Sequence, residues 1–243
     1  MGKKYKMIAC EAVKEELESL LSKCENSVDV TFVTFALHST GNVNMCGELQ
    51  ALIDCIEPDM YDALLLGYGL CSNGICTLRA PIPMVVPRAH DCITFFMGSR
   101  QRYRQYFDAN PGTYFITAGT LESELHSSVL EGGFDKEILR AEYIEKYGEE
   151  DADYLVDMLG DPLKQYRKLL LIDNGIGDIG RARTKAKAIA ADHSWEYEEF
   201  PGSTDLLARL INGDWDAKDF LLIPSGGVIT QAFSEDEIIR VAD

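Results

Sequence analysis

The spacing of hydrophobic and polar positions changes repeatedly along this chain, and each change marks an element. Short apolar runs bounded by Gly, Pro, Asn or Asp recur at 6–10, 28–37, 63–66, 84–86, 113–117, 169–172 and 220–223. Runs of this length and flanking read as strands. A further stretch, 195–200, alternates and suits a strand with one wet face. Between the strands the period lengthens. Residues 11–24 place Val13, Leu17, Leu20, Leu21 and Cys24 on one helical face, and residues 44–56 do the same with Met45, Leu49, Leu52, Ile53 and Ile56. Helices are also expected over 93–107, 181–192, 204–212 and 235–242, with an acidic, mostly helical insertion over about 121–161.

Strands that alternate with helices predict the α/β class and a mostly parallel sheet. In this length the pattern suits two Rossmann-like lobes with a helical insertion, or one wide doubly wound sheet. Pro111-Gly112 is the boundary candidate. It separates a Cys/His-bearing lobe, 1–111, from a lobe with glycine loops, 112–243.

Composition narrows the function classes. The chain has 243 residues, 46% of them hydrophobic, and a formal net charge of −17. That charge argues against a nucleic-acid or membrane surface, because both need a positive field. Arg100, Arg102 and Arg104 form a local basic cluster, read as a solvated helix face. No apolar run approaches the roughly 20 residues of a membrane helix, and no leader-like segment is visible, so a cytoplasmic location is expected. Seven cysteines in such a chain are core residues, nucleophiles or metal ligands rather than a disulfide framework.

The stretch 62–92 concentrates the chemistry. One apolar run leads through Gly67-Tyr68-Gly69 to Cys71, with Cys76 five residues on; another ends at Pro87, with His90 and Cys92 just after it. Cys10 and His38 likewise follow the first two strands. Cys10, His38, Cys71 and the His90/Cys92 pair are therefore expected at one edge of the sheet, where open α/β folds bind ligands. Thiolate and imidazole suit zinc, iron or an iron–sulfur cluster. Without a tight CxxC pair, isolated ligands from separate loops resemble a catalytic site more than a structural one. The expected metal ligands are Cys10, Cys71, Cys92 and His90, with His38 or His90 as acid–base group. Cys24 and Cys55 read as structural. Cys46, in the first turn of its helix, is a candidate thiolate. His126 and His193 receive no role.

Two glycine loops complete the candidates. Gly175, Gly177 and Gly180 match GxGxxG between a strand and a helix, with Glu198 and Glu199 about twenty residues on. That is the spacing by which a backbone approaches a pyrophosphate. Asp173 and Asp178 bring negative charge to that place, so a tight βα turn lining the same crevice is the favoured reading. Ser225, Gly226 and Gly227 form a second loop, expected on the far wall of the crevice and able to touch a cofactor through backbone amides.

Several of these residues resemble an uncharacterised prokaryotic family, domain of unknown function 1638. They are Ala9-Cys10, His38, Cys71-Ser72-Asn73-Gly74, His90-Asp91-Cys92 with Phe95-Phe96-Met97-Gly98, and the strand from Gly112 through Thr113-Tyr114-Phe115. The resemblance supports Cys10, Cys71 and Cys92 as one site. Some relatives stand near corrinoid-dependent methyl-transfer proteins of anaerobes, which implies methyl transfer or a corrinoid accessory role.

The expectation is thus a metal-dependent enzyme acting on a small molecule, with methyl or group transfer in anaerobic metabolism foremost. Zinc is preferred over a [4Fe-4S] cluster, and the reaction would be that of a transferase, hydrolase or lyase. The alternative is a non-catalytic corrinoid or metal binding protein that partners a methyltransferase. A third reading is a nucleotide-binding Rossmann protein with core cysteines.

Overall fold

The computed structural model describes residues 2–35, 37, 42–71, 73–122, 140–141, 143–144, 147–159, 162–232 and 237–242. Five strands form the large sheet: β1 (Lys4–Cys10), β2 (Ser27–Val33), β3 (Ala63–Gly67), β4 (Met84–Pro87) and β8 (Phe220–Ile223), in the spatial order β2-β1-β3-β4-β8. The first four are parallel, and β8 runs antiparallel to β4. Every residue of β3 and β4 is buried, which is why their sequences are unbroken apolar runs. At the edge of the sheet, β2 is only partly buried.

A smaller parallel sheet has the order β5-β6-β7: β5 (Thr113–Ile116), β6 (Lys168–Asp173) and β7 (Glu196–Pro201). A hairpin of β9 (Ile229–Gln231) and β10 (Ile239–Val241) completes the strands among the described residues.

Helices cover both faces of the large sheet. On one face α1 (Lys14–Leu21) packs Leu17 against Met7, Ala9 and Leu65. On the other α2 (Asn42–Asp54) packs Met45, Leu49 and Ile53 against Ile8, Leu64 and Leu66. The chain leaves β1 on one side to reach β2 and returns on the other to reach β3, so the order reverses between β1 and β3. That is a topological switch point, where open α/β sheets place ligands.

Two short helices join the sheets. The 93–107 stretch is broken into α3 (Ile93–Met97) and α4 (Arg100–Ala109). The break is chemical: Gly98 adopts φ 76°, and the Ser99 hydroxyl accepts from the Arg102 N–H at 3.2 Å, capping the second helix. Phe95, Phe96, Tyr103 and Tyr106 share one core with residues of both sheets. Arg102 is fully used here, donating to the carbonyls of Met97 and Pro201 and lying over the Phe200 ring. Arg104 pairs with Asp108 on the exposed face of α4.

Beyond the small sheet's first strand lie α5 (Ala118–Glu122) and α6 (Glu149–Leu159). Most of the 121–161 insertion lies outside the described residues. Then come α7 (Ile179–Asp192) after β6 and α8 (Asp205–Asn212) after β7.

Three expectations change. The 112–243 stretch is not a lobe by itself, because α8 and β8 return to the large sheet. The C-terminal stretch is a strand rather than a helix over 239–241: Ile239 is buried and paired with Gln231, while Arg240 faces outward. Arg88 secures it, its guanidinium donating to the carbonyls of Ile239 and Ala217. Finally, Cys55 is exposed, one residue past the end of α2, and is no core residue.

Candidate functional site

Strand ends and one glycine bring the thiols together. Cys10 is the last residue of β1, paired across to Val33, and β1 also pairs with β3 up to Ala9–Gly67. Past β3 and β4 the parallel pairing is prolonged by two bonds: Leu70 N–H to Ala89 C=O and Cys71 N–H to His90 C=O, both 2.8 Å. The loops can lie this close because residue 69 has no side chain. A Cβ there would stand 2.8 Å from the Asp91 backbone nitrogen and 3.0 Å from the His90 carbonyl carbon. Cys10, Cys71 and Cys92 therefore end or follow three neighbouring parallel strands that flank the switch point.

The backbone at Cys71 is held at φ 47°, and Asn73 and Thr77 follow at φ 70° and 72°. Non-glycine residues in this region store strain and cluster at functional sites.

The three sulfurs act on one another electrostatically. Burial pushes the Cys10 thiol up to about 11, offset in part by the Ala12 N–H that its sulfur accepts at 3.5 Å. Burial pushes Cys71 up to about 12, and charge on Cys10 or Asp91 would raise it further. Cys92 is driven well above its ordinary value by burial, then by Asp91, Cys71 and Cys10. At neutral pH the cluster is a set of protonated thiols. Charge on Cys10 would oppose a Cys71 thiolate and charge on both a Cys92 thiolate, and a cation beside them would reverse that penalty.

Asp91 belongs to this group although the sequence reading passed over it. Its Oδ1 accepts from the Ile93 N–H at 3.0 Å and its Oδ2 from the Tyr103 hydroxyl at 2.8 Å. Burial nonetheless raises the Asp91 carboxyl. The available signal was an Asp two residues ahead of an apolar helix start, the position of a side chain that satisfies the first free N–H groups. Tyr68 is buried beside the thiols and raised mainly by desolvation, then by Cys10 and Cys71. Thr94 is also fully buried, two residues from Cys92, and its hydroxyl has no hydrogen-bond partner among the described residues.

Other candidates fall elsewhere. His90 is exposed at the rim, tied in by its backbone carbonyl. His38 and His126 lie outside the described residues. Among the described residues, no group of three or more His, Cys, Asp or Glu side chains is spaced to hold a metal ion.

Cys46 and Cys76 stand apart from the cluster and beside each other. The Cys46 thiol donates to the Cys76 carbonyl at 3.0 Å and lies 3.2 Å from the Thr77 hydroxyl. Because α2 begins at Asn42, Cys46 lies beyond the first turn, and the helix dipole acts on it less than the expected boundary implied.

Gly175, Gly177 and Gly180 do form a βα turn, from β6 into α7, but three N–H groups of the turn and the helix start are taken by its own side chains. Asp173 Oδ1 accepts from the Gly175 N–H, Asn174 Oδ1 from Ile176 and Asp178 Oδ1 from Arg181, at 3.0, 3.2 and 3.0 Å. The Asn174 amide donates to Glu16 at 2.7 Å, tying this turn to the first turn of α1. Ser225, Gly226 and Gly227 are not on the same wall as the thiols. Because β8 runs antiparallel, its C-terminal end pairs at Met84, the opposite end of β4. There Ser225 and Gly226 donate to the carbonyls of Pro81 and Ala80.

A family model described as Protein of unknown function (DUF1638) matches residues 32–211, about three quarters of the chain. The chain belongs to this family. In DUF1638 terms, the matched stretch takes in Cys71, His90, Cys92 and the glycine turn at 175–180, while Cys10 precedes it and Ser225–Gly227 follow it. No curated protein and no solved structure matches the chain. Among the described residues of this DUF1638 protein, no helix is long and apolar enough to cross a membrane.

Proposed function

We propose that this DUF1638 protein is a cytoplasmic, metal-dependent enzyme acting on a small molecule at the C-terminal edge of the large sheet. What supports the reading is that Cys10, Cys71 and Cys92 end or follow three neighbouring strands at the switch point, with charge on Cys10 opposing ionisation of Cys71 and charge on both opposing that of Cys92. One buried and two half-buried thiols whose charges oppose one another are a costly arrangement for a core and would suit a soft cation. The donor set suits zinc first and a [4Fe-4S] cluster with one open iron second. His90 or His38 would complete the shell or move protons at the rim. The two sheets are read as Rossmann-like lobes, with the substrate between their C-terminal edges.

When bound, zinc would supply a Lewis acid and a neutralising charge for an attacking thiolate or water. The chain's own part is positional. Gly69 lets the 69–71 and 89–92 segments meet. Tyr103 and the Ile93 N–H fix the Asp91 carboxylate, whose burial-raised pKa lets it hold a proton more readily than an exposed aspartate. Methyl or acyl transfer to a thiol, or hydrolysis, suits zinc; elimination suits the cluster.

The alternative reading is a metal or corrinoid accessory protein for a methyltransferase.

Anaerobic purification followed by metal analysis and an absorption spectrum tests both. About one zinc per chain without colour is the expected result; near four irons with a charge-transfer band selects the cluster. Cys71→Ser should lose the metal and keep its circular dichroism. Stoichiometric metal in that variant, or none in the native protein, overturns the metal reading. Corrinoid uptake by the metal-free chain would support the accessory role.

A further inference from the structure

Two of the remaining cysteines form a site of their own. Cys46 on α2 and Cys76 in the loop after β3 both line an open cavity of about 580 Å³, with Gly47, Gln50, Asn73, Thr77 and Arg79. The Cys46 thiol rests on the Cys76 carbonyl and beside the Thr77 hydroxyl, and the charge of a Cys46 thiolate acts on Cys76.

Among the described residues no carboxylate lines the cavity, in a chain whose net charge is −17, although the lining Gln50 donates to Asp54 at 2.7 Å. Arg79 is exposed there, and its guanidinium forms no ion pair among the described residues. Its position is fixed through its backbone, which exchanges two hydrogen bonds with the Gln50 side chain at 3.1 and 3.0 Å.

We propose that Cys46 and Cys76 are a dithiol exchange site for small anionic disulfides, with Arg79 receiving the anionic end. Cys46 attacks first. The Thr77 hydroxyl can donate to its thiolate, whereas burial raises the Cys76 thiol. Thiolate attack on one sulfur of the small disulfide breaks its S–S bond and forms a mixed disulfide at Cys46, expelling one small thiolate. Cys76, deprotonated by solvent, then attacks the Cys46 sulfur and expels the second. Two protein thiols are oxidised to one disulfide, the small disulfide is reduced to two thiols, and the two protein protons end on the released thiolates.

Asn73 and Thr77, on either side of Cys76, both hold positive φ, so the resting backbone stores strain next to the thiol. The site is independent of the metal reading, since neither Cys46 nor Cys76 is among the groups that perturb Cys10, Cys71 or Cys92.

The test compares oxidised glutathione with the neutral 2-hydroxyethyl disulfide on the intact chain, read by whole-protein mass and peptide mapping. The expected product is a Cys46–Cys76 cross-link, two hydrogens lighter and without adduct, formed faster with the anionic reagent. Cys76→Ser should stop at a mixed disulfide on Cys46, and Cys46→Ser should leave Cys76 largely unmodified. Arg79→Gln should slow the anionic reagent roughly two- to five-fold, the range for one exposed charge, and leave the neutral one unchanged. Cross-linking between other cysteines, or equal sensitivity of both reagents to Arg79→Gln, overturns the proposal.

Discussion

Two turns in this protein occupy the same topological position and have been put to opposite use. Both follow parallel strands at a C-terminal edge: the 67–71 turn of the large sheet and the 173–179 turn of the small one. In the second, Asp173, Asn174 and Asp178 bend back and accept from the Gly175, Ile176 and Arg181 N–H groups. At the first, the Cys71 thiol lies near Cys10 and the half-buried Asp91, whose charges would raise it further rather than satisfy it. A glycine motif is thus no evidence of a ligand when its own loop supplies the acceptors. A thiol set is evidence when the loops go to lengths to assemble it.

Alkaline titration should separate the two turns most widely. Cys10 and Cys71 ionise near 11 and 12 in the folded chain and near 9.0 when free of it. The folded state then holds more protons than the unfolded one above pH 9, so stability is intact below pH 9 and lost as pH rises toward 12. The metal-free protein should lose on the order of 7 kcal/mol over that window beyond what a Cys10→Ser/Cys71→Ser variant loses, as chemical denaturation at each pH would reveal. Equal losses would mean the thiols are not buried together.

Gly69→Ala comes next. A methyl group 2.8 Å from the backbone of Asp91 must push the two loops apart, at a cost of about 2 kcal/mol and with loss of metal affinity. Unchanged affinity would detach the 89–92 segment from the site. In the other turn, Gly177→Ala meets the Ala118 Cβ at 2.9 Å and a φ of 78°. It should cost about 1–2 kcal/mol while metal content stays the same; a drop in metal content would show that the two turns work as one site.

The smallest effect concerns their junction. Glu16 is buried, 2% exposed, and its Oε2 has no hydrogen-bond partner among the described residues. Burial raises its pKa despite the Asn174 amide. The folded state therefore favours the protonated form, and the penalty for a charged Glu16 is absent below the unfolded value and grows as pH rises through the folded one. Glu16→Gln should be more stable than the native chain by about 1 kcal/mol at pH 8, with the gain fading toward pH 4. A gain that is flat with pH would show that the carboxyl is not the cause.

The mostly parallel sheet was legible because burial on both faces leaves β3 and β4 as unbroken apolar runs, and Cys71 and Cys92 follow the ends of those runs. The direction of β8 was not legible. Phe220–Ile223 has the same composition whichever way it runs, so only pairing with β4 reveals that Ser225–Gly227 lie at the far edge. The stretch around Ile239 was misread for a related reason: two buried isoleucines in a short run fit either period, and the β9 partner decides. Gly98-Ser99 carried a helix stop and a new cap in plain view, overlooked inside an apolar pattern. Asp91 was hidden by its neighbours, since a carboxylate between a histidine and a cysteine draws less notice than either.

The antiparallel partner of β4 has a consequence for how the chain reaches its native state. Met84 and Ile223 are paired, yet the whole of the small sheet is threaded between them in sequence. The fourth strand, whose loop carries Cys92, must wait with an open edge until almost all of the polypeptide is made and the return strand arrives. Contacts this distant in sequence form slowly, and an open apolar edge is what aggregating chains pair with. Until β8 docks, the last thiol of the cluster hangs from an unfinished sheet, so assembly of the site and completion of the fold are one kinetic event.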